Sequence, residues 1–512
     1  MMHLPFLPLI LPLLAGILIL LLKPFGLAAQ RWISFVSVLV LLGLNLWLLN
    51  FSLEVNPQIY ALGNWQAPFG IVLVLDQLSA FMLVITALLA SAALWFALRQ
   101  NTDRLGAHFH VLFQIQLFGI NGAFLTGDLF NLFVFFEVLL LASYGLLLHG
   151  GGRLKTRAGL HYVAINLIGS TLFLFAVGAL YGILGTLNMA DLAVRIAQLP
   201  ASEQGVVAAA GLMLFVVFAI KAALFPVYLW LPNAYSQTTA AVAALFAIMT
   251  KVGIYAILRV HGLLFGEQAG ALAGIHLDWL LWLSLISMLM AALGVVAAKA
   301  LRQQIAYLVL ASVATLMAAI AINSPNALAA GLFYLIHSTF IAAGLFLLAQ
   351  WITQGRGATA DHFISAPAMP KAILIGSVFV FAALAISGMP PLSGFMGKFL
   401  ILQAALLHPQ AAWIFSAILV SSLLIIIALA RSGSLLFYNV QPAESRASEP
   451  QPLAGANAVL LLLASGLLLV IFAQPIFDLT ELIANQLYQP QLYLRTVLEF
   501  APLANPYKEL VP

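Results

Sequence analysis

Five titratable side chains stand in runs of otherwise apolar residues: Glu137, Lys221, Lys251, His337 and Lys398. Glu137 lies in DLFNLFVFFEVLLLASYGL and alone of sixteen acidic residues falls in the middle of such a run. Lys221 precedes Pro226 by five residues, Lys251 has apolar sequence on both sides, and Lys398 follows GMPPLSG. His337 sits in GLFYLIHSTFIAAGLF beside Ser338 and Thr339. A charge at the centre of a bilayer costs roughly 3 kcal/mol on insertion scales, so chains keep one where it is paired or used. Burial and pairing act in opposite senses on the proton affinity of a carboxyl or an ammonium. A Glu–Lys pair that opens and closes therefore has two protonation states of similar energy, the requirement of a proton relay. An imidazole, titrating near pH 6.5 when unperturbed, is the readiest further member. Plainer readings stand beside these: a packing carboxyl or histidine, or lysine stems that snorkel to an interface, most readily Lys398.

The elements that must hold these groups are membrane helices. Of 512 residues, 64% are hydrophobic and only 7% charged, against about 25% charged in a soluble domain. The basic residues are scattered over short segments, with no nucleic-acid face. The chain has no cysteine, which excludes disulfides, thiolate zinc sites and cysteine-held iron–sulfur clusters. No cofactor is expected. Residues 4–22 lack a basic leader and an obvious cleavage site and read as a retained first helix.

A span needs about 20 apolar residues, and fourteen candidates satisfy that rule. They lie near 4–22, 32–53, 71–98, 107–126, 129–149, 160–185 and 206–231, then 238–261, 276–299, 303–322, 327–351, 372–407, 411–437 and 455–474. Thirteen of the twenty basic residues fall on one set of alternate loops, four on the other set and tail, and three inside spans. The positive-inside bias then puts the basic loops in the cytoplasm and both termini outside.

Two spans are interrupted. The stretch 372–407 carries Gly388, Pro390, Pro391 and Gly394 at its middle, and the seventh span is broken from Pro226 to Pro232. Proline removes a helix hydrogen bond and clashes with the preceding turn. Backbone freed at membrane depth must face protein or a watery cavity. The broken spans are five apart in order, an odd number, so corresponding spans run in opposite directions, as in an inverted repeat with its ion site at the breaks. The expected organisation is an all-α polytopic membrane protein: three N-terminal helices (1–106), a first five-helix repeat (107–262), a second, inverted repeat (263–438), a cytoplasmic loop (439–454), then a last helix and outer tail (455–512). Metal and haem readings do poorly. His149, His161, His261, His276, His362 and His408 fall near span ends, and Asp76 and Asp128 read as helix N-terminal acids.

The segments GDLFNLFVFFEVLLLASYGLLLHG, KAALFPVYLWLPNAYSQTTAAVAALFAIMTKVGIYAILR and SGMPPLSGFMGKFLIL resemble the antiporter-like subunits shared by multisubunit cation/proton antiporters and respiratory complex I. Within that family the resemblance is closest to the D subunits of Mrp-type antiporters and spans the membrane region. It implies fourteen helices in two inverted five-helix repeats, with the seventh and twelfth broken. It implies Glu137 paired with Lys221, Lys251 at the centre of a hydrophilic axis, His337 in the eleventh helix and Lys398 at the twelfth-helix charged position. Many relatives carry lysine where this chain has Ala342. The implied activity is H+ exchange against Na+ or K+ within a hetero-oligomeric complex of membrane subunits, in a bacterial cell membrane. Two other classes compete: a proton-pumping membrane subunit of a complex I-like oxidoreductase or membrane hydrogenase, and a scaffold subunit without flux.

Overall fold

The computed structural model describes residues 3–441 and 453–500. Most of the expected loop 439–454, with Arg446, and the end of the tail, with Lys508, lie outside the described residues. The chain begins with α1 (Leu7–Leu21) and α2 (Leu27–Glu54). An antiparallel hairpin follows, β1 (Gln58–Ala61) on β2 (Val72–Leu75). The third span is expected from residue 71, but its first residues, VLVL, form β2 instead. These branched, fully buried side chains suit a pleated strand. Helix α3 (Gln77–Arg99) starts only after Asp76, which accepts from the Ser79 amide while the Ser79 hydroxyl accepts from the Asp76 amide. This capping box satisfies two donors the helix start would leave free.

Next come α4 (Phe109–Leu125), α5 (Leu129–Leu148) and α6 (Arg153–Leu184). Helix α6 begins earlier than expected and takes Arg153, Lys155 and Arg157 into its first turns. A short amphipathic α7 (Met189–Ala197) leads to α8 (Ala201–Ala222). The first break opens at Ala223, whose φ is +60°, and helix resumes as α9 (Trp230–Gln237). The break therefore begins and ends somewhat earlier than the expected interval from Pro226 to Pro232. Pro232 sits in the first turn of α9, where a missing N–H costs no helical bond. The freed backbone is satisfied: Trp230 Nε1 donates to the Ile220 carbonyl at 3.1 Å, and the Phe225 amide to Ser287 Oγ at 2.8 Å.

The eighth span is itself subdivided, into α10 (Ala240–Phe246), α11 (Met249–Ala256), a π-helical turn (Ile257–His261) and α12 (Gly262–Leu264). Arg259, expected in a loop, is buried in that turn. The chain continues through α13 (Leu277–Ala297), α14 (Leu301–Ala321), whose first turn holds Arg302, and α15 (Pro325–Gly355). The second break separates α16 (Ala372–Ser387) from α17 (Ser393–Ala405), where the proline pair places it. Then come α18 (Ala411–Phe437), α19 (Ala456–Ile471), α20 (Ala473–Leu487) and α21 (Gln491–Leu498). Helix α20 turns away from α19 by 88° and packs along α15, so this part of the tail is folded onto the bundle.

Among the described residues, eleven helices are long and apolar enough to cross a membrane, or twelve with the bent α19–α20 pair. The protein is an all-α membrane protein with a small hairpin. Helices that are apolar all round belong inside a bundle. Here α10–α12, α14 and α15 form that interior, whereas α1, α2, α6 and α18 show apolar side chains outward. Lys251 and His337 stand on these innermost helices.

Candidate functional site

The five titratable groups fall into two polar clusters in this interior, each beside a helix break. In the first, Glu137 on α5 is half-buried and accepts a hydrogen bond from the Ser170 hydroxyl of α6. Lys221, 7% exposed and one residue before the end of α8, donates to Asn166 Oδ1 of α6 at 3.3 Å. Its ammonium also lies 5.8 Å from the centre of the Phe136 ring, a weakly attractive cation–π arrangement. Glu137 and Lys221 are not in direct contact, although the carboxylate is within electrostatic reach of the ammonium. Asn166 and Ser170, one helical turn apart on α6, each bind one of the two groups: Asn166 the ammonium and Ser170 the carboxylate.

Lys251 is fully buried on α11, and its Nζ has no hydrogen-bond partner among the described residues. An ammonium there needs water to satisfy its protons. Beside Lys221, a cavity of about 10 Å³ is lined by Phe136, Leu139 and Leu140 of α5 together with Tyr162, Asn166, Lys221, Trp230, Met249 and Val252. That is the scale at which one water fits, and it connects the Lys221 side to the first turn of α11. The two helices are in contact through Gly253: a Cβ there would lie 2.5 Å from the Ala222 amide nitrogen. Only glycine allows this approach.

In the second cluster His337 of α15 is fully buried, with Nδ1 2.8 Å from Ser393 Oγ at the start of α17. The imidazole lies against the second break, where Gly394 makes room for it. A Cβ at Gly394 would be 2.7 Å from His337 Nε2 and 2.3 Å from the Ala385 carbonyl oxygen. Lys398 folds back across the same break and donates to the Ser387 carbonyl and to Ser422 Oγ of α18, both at 2.9 Å. A cation at a helix C-terminus is favoured by the exposed carbonyls and the helix dipole, so Lys398 closes the end of α16. Its ammonium is within electrostatic reach of His337.

Helix α14 packs against both α11 and α15. Its buried Ser312 and Thr315 hydroxyls bond to carbonyls of their own helix. The structure therefore joins Glu137 to Lys221 through α6 and His337 to the Lys398 break through α17, with Lys251 beside the first group. Among the described residues it provides no direct side-chain bond from Lys251 to His337.

Two ionic networks flank these clusters. On one, Asp103 accepts from Arg31 at 2.6 and 2.7 Å and lies 3.1 Å from His110 Nε2. Burial would raise this carboxyl, but the His110 and Arg31 hydrogen bonds overcome it and hold the pKa at about 2. On the other, Asp76 pairs with Arg259 at 2.6 Å, and the guanidinium stacks 5.2 Å from the centre of the Tyr493 ring. Asp76 is thus a helix N-terminal acid, as expected, and an ion-pair partner as well. Sequence reasoning missed Asn166, Ser170, Ser393 and Ser422. Tyr162, Asn166 and Ser170 recur every four residues in an apolar helix, a legible stripe; the two serines beside the second break carried no such pattern.

With this geometry in hand, known proteins offer comparison. The family model described as NADH:quinone oxidoreductase/Mrp antiporter, TM matches residues 126–425. The chain is similar to the probable K(+)/H(+) antiporter D subunit of Rhizobium meliloti (strain 1021), 39% identical over 98% of each chain. It is similar to the Na(+)/H(+) antiporter D subunit of Alkalihalophilus pseudofirmus, 36% identical over 98% of this chain and 100% of that one. In three dimensions it matches a chain of the solved Mrp complex from Dietzia sp. DQ12-45-1b with a TM-score of 0.83 and 28% identity, covering 97% of this chain and 99% of the other.

Proposed function

This chain belongs to the NADH:quinone oxidoreductase/Mrp antiporter transmembrane family, and on that premise we propose that it is the D subunit of an Mrp-type antiporter exchanging Na+ or K+ for H+. It is a transporter component rather than an enzyme, and its task is proton translocation through Glu137, Lys221, Lys251, His337 and Lys398. The observation that carries this reading is Lys221: a lysine buried at a helix break, held by Asn166 and facing Glu137 without touching it. Such a pair gains or loses a proton at either end with little change in energy.

The order of transfer follows the packing. Glu137 and Lys221 form the first station and Lys251 the second, across the Gly253 contact. His337 and Lys398 form the third, where an imidazole and an ammonium share one break. A proton arriving at one station repels the next cation, so charge moves along the bundle while the helices stay in place. Water links the stations where side chains do not.

The remaining organisation is proposed on the same basis. Adding the short apolar α4, the broken α16–α17 span and the bent α19–α20 pair to the eleven long helices gives fourteen spans. Repeats at 107–262 and 263–438 place the two breaks at equivalent positions. The basic ends, including the Asp103 loop, face the cytoplasm, and both termini lie outside. The chain works with the other membrane subunits of the complex.

The test is made in everted vesicles from an antiporter-deficient host expressing the complete set of subunits. Addition of Na+ or K+ raises internal pH in wild type. The family model also covers NADH:quinone oxidoreductase subunits. An assembled complex that answers to no cation and co-purifies with flavin or iron–sulfur proteins would favour that reading instead.

A further inference from the structure

One hydroxyl in the first cluster has two acceptors and a single hydrogen. Ser170 Oγ contacts Glu137 and also lies 3.0 Å from the Asn166 carbonyl oxygen one turn back on α6. A hydroxyl donates once and accepts through its lone pairs. When Glu137 is ionised, it accepts a hydrogen bond from the Ser170 hydroxyl. When Glu137 is protonated, its own O–H donates to Ser170 Oγ, and the serine hydrogen turns to the Asn166 carbonyl. In both protonation states Glu137 thus keeps its hydrogen bond to Ser170 with the same heavy-atom positions. Asn166 is fixed in the complementary way. Its Nδ2 donates to the Tyr162 carbonyl at 2.9 Å, which leaves Oδ1 as a permanent acceptor for Lys221.

We infer that Ser170 and Asn166 are positioning residues for the proton relay: Ser170 holds Glu137 in both of its protonation states, and Asn166 holds Lys221 close to Glu137 but off it. The inference rests on the relay reading above and adds two residues on α6. Its physical basis is that a charged pair in full contact is deeply trapped in a low-dielectric interior, whereas a pair held apart exchanges its proton more readily. Besides Glu137 and Lys221, the elements packed around this cluster carry Tyr144 on α5, Arg153, Lys155, Arg157, His161, Tyr162 and Tyr181 on α6, Glu203 on α8, Tyr235 on α9, and Lys251 and Tyr255 on α11. Tyr162 is itself engaged, with its hydroxyl 2.9 Å from Ser143 Oγ.

The experiment uses the complete complex in everted vesicles, with cation-induced transport measured from pH 6 to pH 9 for wild type, Ser170→Ala, Ser170→Thr, Asn166→Leu and Glu137→Gln. Ser170→Ala and Asn166→Leu are expected to assemble normally, to slow transport about tenfold and to displace the pH profile by about one unit, the equivalent of one pKa unit. Ser170→Thr keeps the hydroxyl and restores the wild-type profile. Profiles of Ser170→Ala and Asn166→Leu superimposed on wild type, while Glu137→Gln abolishes transport, would overturn this inference and leave the relay standing. Transport undiminished in Glu137→Gln would overturn both. Infrared difference spectra of the purified complex give a check independent of any serine variant. The protonated-carboxyl band lost in Glu137→Gln is expected at a hydrogen-bonded frequency, and a free-carboxyl frequency in wild type would contradict the bond to Ser170.

Discussion

His337 Nδ1 lies 2.8 Å from Ser393 Oγ, so an imidazole on an unbroken inner helix is bonded to the first helical residue after its neighbour's break. The bond fixes the ring orientation against Gly394 and so the position of His337 in the proposed relay. Replacing Ser393 by Ala removes a hydrogen bond of about 1 kcal/mol and lets the ring turn. Antiport is expected to slow several-fold with assembly unchanged, measured by dye-reported transport; a rate equal to wild type would show that His337 needs no such hold.

The close approach at the breaks gives a steric prediction. Gly394→Ala puts a methyl 2.3 Å from the Ala385 carbonyl oxygen, and Gly253→Ala puts one 2.5 Å from the Ala222 amide nitrogen. Both contacts are with backbone, which cannot rotate away, so each variant is expected to lose roughly 1–3 kcal/mol of stability. Gly262→Ala, with nothing within 4 Å, is the neutral control. Thermal unfolding of the purified complex reads the difference.

Much of this was legible in the sequence, for a specific reason. A lone charge in an apolar run, as at Glu137 or Lys251, stands out without knowledge of its neighbours, and Pro390–Pro391 announces a break by itself. What stayed hidden depends on distance in the chain or on ambiguity of period. Val72–Leu75 is a short apolar run, which periodicity alone does not separate from helix. Arg259 looked like a loop residue because its partner, Asp76, lies 183 positions away. That Glu137 and Lys221 both bond to α6, through Ser170 and Asn166, depends on the fold and is supplied by nothing local in the sequence.

The Asp76–Arg259 pair gives a stability prediction. Asp76→Asn leaves a buried guanidinium uncompensated, a loss of about 3–5 kcal/mol. Replacing both residues by apolar ones of similar size is expected to recover much of that loss. Melting temperatures of the single and double variants decide it, and equal losses in both would show that Asp76 acts only as the α3 cap.

The Asp103 network sets a pH window. Its carboxyl titrates at about 2 in the folded protein against 3.8 for a free aspartate. A depressed carboxyl pKa contributes stability that is fully present above the unfolded value and is lost as pH falls through the folded one. Amide exchange protection around residues 102–105 is therefore expected to stay level from pH 8 to pH 5 after correction for intrinsic rates. Asp103→Asn should lower it throughout that range. A decline in wild type between pH 7 and pH 5 would contradict control by the Asp103 carboxyl.

The most direct test of the account is Lys221→Ala in the assembled complex, in everted vesicles challenged with Na+ and then K+. Removing the ammonium that faces both Asn166 and Glu137 is expected to abolish the cation-induced rise in internal pH, with all subunits still co-purifying. Undiminished antiport in that variant would contradict a proton path through this chain.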